Sequence, residues 1–307
     1  MILDILVLLL GIAVLVKSSS ITIDKAARLS YLSGISQMVI GFIFIAVATS
    51  LPEFSIGVIS SFEGTGLLSV GNLVGANVSN LMLVFGAMAL IGFNLGKKFV
   101  TQIEKGIFIT TMIAVFLIVL GGANATFGIF CIVIFYLFAK NVMKKGVVSD
   151  TEKPISKTWV IFVTSLQLII AIGVVVISAY VVTNSSIKIA DFFSVSESVI
   201  GASILAIGTT LPELSVSVAA VRKKNISLAV GNVIGSIVTN LALILGVVAL
   251  INPFTLEPGI YPALFMLIAV NVIFFFITKR SKFDISEGLI LLSVYIIYLI
   301  ILFSGIW

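Results

Sequence analysis

The chain has 307 residues, of which 60% are hydrophobic and 10% are charged, and its mean hydropathy is +1.29. Soluble domains carry roughly 25% charged residues, so this composition excludes a soluble protein and indicates one that lies in a lipid bilayer. The single cysteine, Cys131, excludes an internal disulfide, and the absence of histidine excludes an imidazole metal site or a histidine proton relay.

Ten apolar segments follow one another along the chain, each near the roughly 20 residues that a spanning helix needs. They predict an all-α membrane protein with ten transmembrane helices: a five-helix repeat at 1–139, a cytoplasmic linker at 140–158 and a second five-helix repeat at 159–307. The first segment lacks the basic region of a cleavable signal peptide, so we expect it to remain. The segments begin near residues 2, 36, 67, 106, 126, 159, 197, 227, 261 and 285.

The basic residues predict the orientation of these helices. With the N-terminus outside, 17 of the 18 Lys and Arg residues fall in inner loops or near inner helix ends, and only Lys188 falls outside. This distribution follows the positive-inside rule. The net charge of +5 therefore reports topology and not affinity for nucleic acid. We expect a multi-pass protein of the cell (plasma) membrane with both termini outside.

A long stretch of the first half returns in the second half. Residues 41–81 align without a gap to residues 201–241, and 16 of the 41 positions are identical. The identities include Thr, Pro-Glu and Gly-Asn, which an accidental match between apolar segments would not preserve. Because five helices is an odd number, the second half enters the membrane upside down. Such inverted repeats build transporters whose site lies at the midplane, where the halves meet.

The repeat places one carboxylate in each half. Of thirteen acidic residues, only Glu53 and Glu213 fall within predicted spans and away from their ends. A charged side chain at mid-bilayer costs roughly 2.5–3.5 kcal/mol, and the symmetry of the repeat predicts that the two face each other. At about 5 Å and an effective dielectric near 20, their repulsion adds on the order of 3 kcal/mol. An empty, doubly ionised pair is therefore unfavourable and requires cations or protons.

The neighbours of the two carboxylates suit a cation. Thr49 and Thr209 each lie four residues before a glutamate and share its helix face. The proline directly before each glutamate lacks an N–H and frees carbonyl oxygens one turn back. Carboxylate, hydroxyl and carbonyl oxygens are the ligands that calcium prefers. The next helix of each half adds a polar stripe at i, i+4 and i+8: Asn72, Ala76 and Asn80, then Asn232, Ser236 and Asn240.

These residues resemble the motifs of the calcium/cation antiporter superfamily, and specifically of its sodium/calcium exchanger branch in the minimal prokaryotic form. The resemblance rests on GFIFIAVATSLPEF with SVGNLVGANVSN and on GASILAIGTTLPEL with AVGNVIGSIVTN. It covers the whole chain, because minimal members also have ten helices in two inverted fives. It implies a secondary active antiporter, without a cofactor, that exchanges Ca²⁺ for Na⁺ by alternating access as the first and sixth helices slide against the rest.

The resemblance also implies roles for individual residues. Glu53 and Glu213 would share the calcium ion with the oxygens of Thr49 and Thr209. Asn80 and Asn240 would line the centre. The flanking sodium sites would use the carbonyls of Ala46 and Ala206, the hydroxyls of Ser50 and Thr210, and Ser236.

The chain departs from the family pattern at several positions. Ala48 stands where the family usually has Gly. Ala76 stands where relatives often have Ser, which removes a hydroxyl from a sodium site and leaves the number of sodium ions open. Asn240 replaces the Asp of potassium-dependent relatives, so we expect no potassium transport. Val74 and Ile234 occupy the region where the proton-coupled branch carries an acid, which favours sodium over protons.

Other functions remain open at this point. A Ca²⁺/H⁺ antiporter of the same fold is the main alternative, and a passive cation channel is another. An intramembrane hydrolase is disfavoured, because acid and base carboxylates need unlike environments and these two are equivalent. The expected partners are Ca²⁺, Na⁺, the alternative H⁺, and the lipid bilayer. The sequence is compatible with a monomer but leaves the oligomeric state open.

Overall fold

The structure, a computed structural model, describes residues 2–62, 66–145, 158–192, 206–256, 260–280 and 282–303. Most of the predicted linker and the predicted start of the seventh helix near residue 197 lie outside the described residues.

The described residues form eleven helices and four two-residue strands. The first half contains α1 (Ile2–Ser33), α2 (Gln37–Thr49), α3 (Leu51–Phe62), α4 (Gly66–Ser79, continued by Asn80–Val84 and Phe85–Ile91), α5 (Lys97–Leu120) and α6 (Ala125–Lys145). The second half contains α7 (Thr158–Phe192), α8 (Ala206–Arg222), α9 (Ile226–Val238, continued by Thr239–Ile244 and Leu245–Ile251), α10 (Tyr261–Thr278) and α11 (Ile285–Phe303). The strands are β1 (Phe93–Asn94), β2 (Gly122–Ala123), β3 (Phe254–Thr255) and β4 (Lys282–Phe283).

The helices are those of a multi-pass membrane protein, as the hydropathy predicts. Among the described residues, six helices are long and apolar enough to cross a membrane, or seven if the bent pair α2–α3 counts as one crossing. α10 and α11 contribute shorter apolar helices. α5 begins at Lys97 and not near residue 106, because hydropathy detects the apolar part of a helix and misses its polar end.

α4 and α9 form the centre of the protein. In each of them 78% of the apolar span is buried inside the protein, compared with at most 39% in α1, α5, α6 and α7. Both central helices widen into a π-helical turn at equivalent places, Asn80–Val84 and Thr239–Ile244. The outer helices therefore present their apolar side chains to lipid, while α4 and α9 are enclosed by protein.

The two halves contact each other in reciprocal ways. A Cβ on Gly288 of α11 would lie 3.0 Å from the carbonyl oxygen of Gly86 on α4, and a Cβ on Gly128 of α6 would lie 2.6 Å from that of Gly246 on α9. Gly86 and Gly246 are repeat counterparts, as are Gly128 and Gly288. Each strand also pairs with a strand of the other half: β1 pairs with β4 and β2 pairs with β3, both antiparallel. Each half is therefore closed by elements of the other.

The repeated proline has different effects in the two halves. Pro52 lacks an N–H and crowds the carbonyl one turn back, and the chain leaves helical geometry at Ser50, with φ −82° and ψ 11°. α2 and α3 consequently meet at an angle of 44°. The backbone stays bonded across the bend, since the Ser50 N–H donates to the Ala46 carbonyl at 3.0 Å. In α8 the corresponding Pro212 lies inside a continuous helix.

Candidate ion-binding site

Both predicted carboxylates point into the protein. Glu53 lies at the start of α3, directly after the bend, and Glu213 lies in the middle of α8. Both side chains are fully buried, so neither is turned toward lipid. The two carboxyl groups are close enough for their charges to interact. The structure therefore brings together one acid from each half, next to the central helices.

Glu213 is held by hydroxyl groups from both halves. Its Oε1 accepts from Ser50 Oγ at 3.2 Å and from Ser236 Oγ at 3.1 Å. Asn232 fixes the surrounding backbone, because its Nδ2 donates to Ser217 Oγ at 2.9 Å and to the Glu213 carbonyl at 3.4 Å. Glu213 Oε2 is buried and has no hydrogen-bond partner in the part of the chain that the structure describes. One oxygen of this carboxylate is thus anchored and the other is available to a ligand.

Glu53 has fewer partners. Neither of its carboxylate oxygens has a hydrogen-bond partner among the described residues. Ala76 stands where the second half has a serine, so no hydroxyl is offered from α4 at that position. Thr210, the counterpart of Ser50, donates to the Ala206 carbonyl at 2.8 Å. The site is therefore asymmetric although the sequence motifs are repeated.

The two threonines join the halves across the site. Thr49 Oγ1 donates to the Ala46 carbonyl at 3.3 Å and to Asn232 Oδ1 at 3.4 Å, and Thr209 Oγ1 donates to the Ala206 carbonyl at 3.2 Å. The Thr209 side chain also lies beside Glu53, and the Thr49 side chain lies beside Glu213. Each threonine therefore approaches the glutamate of the other half.

The asparagines of the central helices are buried in the same region. Both amide atoms of Asn80 and of Asn72 lack hydrogen-bond partners among the residues that the structure describes. Asn240 donates through Nδ2 to Asn77 Oδ1 at 3.1 Å, and no described residue donates to its own Oδ1. Asn77 is a residue that the sequence analysis missed, because it lies outside the i, i+4, i+8 stripe. Ser217 was missed as well, although its position four residues after Glu213 on α8 was a usable signal.

The site thus contains buried oxygens that the protein itself does not satisfy. A buried polar atom without a partner costs about 1–3 kcal/mol, so a cluster of them indicates a bound species. Among the described residues, no group of three or more His, Cys, Asp or Glu side chains is present to hold a metal ion. Two carboxylates with neutral oxygens suit hard cations that prefer oxygen ligands. The unpartnered oxygens are Oε1 and Oε2 of Glu53, Oε2 of Glu213, and Oδ1 of Asn72, Asn80 and Asn240.

Paired carboxylates and neutral oxygens in the interior of a multi-helix membrane protein are the features expected of a cation transporter. The family model described as sodium/calcium exchanger protein matches residues 3–143 and 163–304. The chain belongs to this family, and the function common to it is cation exchange.

Named relatives cover nearly the whole chain. The sodium/calcium exchanger MaX1 of Methanosarcina acetivorans is 28% identical over 97% of this chain and 98% of its own. Inner membrane protein YrbG of Escherichia coli is 28% identical over 96% of this chain and 95% of its own. The structure of the sodium-calcium exchanger NCX_Mj soaked with 10 mM Na⁺ and zero Ca²⁺ matches with a TM-score of 0.84 at 27% identity, covering 100% of this chain and 99% of that one.

Proposed function

We propose that this protein is a secondary active antiporter that exchanges Ca²⁺ for Na⁺ by alternating access. The observation that carries the proposal is the pair of fully buried glutamates, Glu53 and Glu213, one from each half, surrounded by oxygens without partners. The proposed ligands extend to the other residues that the motifs predict: Thr49, Thr209, Ser50, Thr210, Ala46, Ala206, Asn80, Asn240 and Ser236.

Charge balance supports exchange over one-way transport. Two carboxylates are neutralised by one Ca²⁺ or by two Na⁺, so the two loads compete for the same oxygens. An empty, doubly charged site is the costly state in a low-dielectric interior, and it is the state that an antiporter must not reorient. Transport of more than two Na⁺ per Ca²⁺ would move net charge, and the exchange would then respond to the membrane potential.

The proposed topology has ten crossings in two inverted sets of five, with both termini outside and the linker in the cytoplasm. The reciprocal contacts between the halves and the distribution of basic residues support it. In this topology α1 and α7 are the first and sixth crossings. They pack against each other and border α8 and α2, so sliding of this pair is the proposed motion that exposes the site to alternate sides.

Vesicle transport tests the proposal. Purified protein is reconstituted into liposomes, and ⁴⁵Ca²⁺ uptake is measured with outward gradients of Na⁺, K⁺ or H⁺ imposed separately. We expect uptake with the Na⁺ gradient alone. Uptake driven only by a pH gradient would indicate a Ca²⁺/H⁺ antiporter. Uptake down the Ca²⁺ gradient at channel rates, without a counter-ion, would indicate a channel.

Substitution of the carboxylates tests the site. Glu53→Gln and Glu213→Gln each remove one negative charge with little change in shape, and each is expected to abolish Na⁺-driven uptake. Glu104→Gln is the matched control, because Glu104 pairs with Lys279 at a partly exposed position on α5. Sodium-driven uptake that survives in either of the first two variants would remove the site assignment.

A further inference from the structure

A relay of two side-chain amides links the central helices α4 and α9 beside the ion site. Asn77 of α4 is fully buried, and its Nδ2 donates to the backbone carbonyl of Ile237 on α9 at 3.0 Å. Its Oδ1 accepts from Asn240 Nδ2 at 3.1 Å. The other amide atom of Asn240, Oδ1, is buried and has no hydrogen-bond partner among the described residues.

The backbone carbonyl sets the direction of this relay. A carbonyl oxygen can only accept, so Asn77 must present its NH₂ group to Ile237 and its oxygen to Asn240. That oxygen can also only accept, so Asn240 must present its NH₂ group to Asn77. The orientation of an amide is assigned from its partners, and these partners admit one assignment. The Asn240 oxygen is consequently turned away from Asn77 and kept free to accept.

The other half lacks an equivalent relay. Ile237 is the repeat counterpart of Asn77, and its side chain offers no polar atom to Asn80, the counterpart of Asn240. Both amide atoms of Asn80 are buried, and neither has a hydrogen-bond partner in the described part of the chain. Asn80 can therefore turn either its oxygen or its NH₂ group toward the site. Asn240 can offer only its oxygen.

We propose that Asn77 is a positioning residue that holds the Asn240 oxygen toward the transported cation. Asn77 itself does not bind the ion. Its hydrogen bond prevents the flipped Asn240 amide, in which the NH₂ group would face the cation. No binding free energy is then spent on reorienting the amide when the ion binds. The inference rests on the proposed function, because it requires Asn240 to be an ion ligand. Groups that orient metal ligands typically change metal affinity about 10–100-fold when they are lost.

Substitution of Asn77 tests the inference. Asn77→Ile gives the first half the residue that the second half already carries. It is expected to raise the Ca²⁺ concentration for half-maximal Na⁺-driven uptake about tenfold, with little change in the maximal rate. Asn77→Ser, a smaller change, is expected to act in the same direction if the isoleucine variant does not fold. Asn271→Leu is the matched control, since it removes another buried amide, which bridges α5 and α10 through Thr110 and Thr111. Its half-saturating Ca²⁺ concentration should stay within about twofold of wild type.

The Asn240→Asp background separates orientation from packing. A carboxylate offers an oxygen at either end and needs no partner to turn it. Asn77→Ile should therefore raise the half-saturating Ca²⁺ concentration by less than about twofold in that background, or lower it, because it also removes an oxygen that faces the new carboxylate. An equal loss in both backgrounds would assign Asn77 a packing role and overturn the inference. Wild-type exchange with unaltered Ca²⁺ affinity in Asn77→Ile would remove this inference alone, whereas a wild type that does not exchange Ca²⁺ for Na⁺ would remove the proposed function with it.

Discussion

Gly235 of α9 makes the tightest helix contact next to the ion site. A Cβ added there would lie 2.4 Å from the Cβ of Ala46 and 2.9 Å from the carbonyl oxygen of Phe42, both on α2. Carbon atoms in contact normally lie about 3.5–4.0 Å apart, so Gly235→Ala requires α2 and α9 to separate by about 1 Å. The obstructing atoms belong to the backbone or sit directly on it, and they cannot rotate away.

The cost of this separation can be worked out from two opposing terms. Overpacking of a well-packed core lowers the free energy of unfolding by about 1–3 kcal/mol, whereas replacing glycine by alanine inside a helix raises it by about 0.8–1.0 kcal/mol. The net destabilisation should be about 0–2 kcal/mol, and near the upper limit because the obstructing atoms cannot rotate away. The effect on transport should be larger, because the Ala46 carbonyl is a proposed ligand of a flanking sodium site and a shift of about 1 Å would move it out of the coordination shell of the ion. We expect Na⁺-driven uptake to fall on the order of tenfold or more.

Gly106→Ala is the matched control for this prediction. Its Cβ would lie 2.9 Å from Cγ2 of Ile234 and 3.6 Å from Cγ2 of Val238, which are side-chain methyl groups on the same helix α9 and not backbone atoms. The gain of about 0.8–1.0 kcal/mol for alanine in a helix should offset the cost of shifting the Ile234 methyl group. This variant should therefore keep its stability within about 0.5 kcal/mol and its uptake near wild type. Thermal denaturation in detergent and ⁴⁵Ca²⁺ uptake in liposomes compare the two variants. Equal stability and equal uptake of Gly235→Ala and Gly106→Ala would refute the claim that contact with the α2 backbone makes Gly235 irreplaceable.

Three further predictions concern single side chains. Ala76→Ser should place a hydroxyl beside Glu53, as Ser236 does beside Glu213, and should lower the Na⁺ concentration for half-maximal Ca²⁺ efflux. An unchanged Na⁺ concentration would contradict the idea that Glu53 lacks a hydroxyl ligand on α4. Phe283→Ala leaves a cavity among buried aromatic rings and should lower the free energy of unfolding by about 3–5 kcal/mol. The exposed, lipid-facing Phe276 is the control, and Phe276→Ala should lower it much less in the same denaturation assay. Lys223→Met removes a partly exposed ion pair with α1 and should change stability by less than about 1 kcal/mol; a larger loss would assign that pair a structural role.

The membrane location and the burial of both acids could be predicted from the sequence. Each follows from a free-energy cost that holds almost regardless of neighbours, since charges avoid lipid and apolar runs avoid water. Glu53 and Glu213 therefore had to face the protein interior, and the structure buries both. The repeat added the further expectation that they approach each other.

The asymmetry of the site could be predicted only in part, from the alanine at position 76 opposite Ser236. Ser50 and Thr210 occupy equivalent positions, but Ser50 reaches across to Glu213 and Thr210 bonds back to its own helix. A hydroxyl rotamer is selected by the packing around it, which the motif does not contain. Asn77 was missed for a related reason, because its importance depends on a backbone carbonyl of the other half and not on the stripe along its own helix.

The reciprocal packing bears on how such a protein can be assembled. Most helices find their main neighbour in the other half, as α1 does with α7, α4 with α11 and α6 with α9. A single half made alone would lose the helices of the other half that cover its buried glutamate and asparagines. Two halves produced as separate chains should nevertheless recognise each other in the bilayer, since the surfaces that join them do not depend on a covalent link.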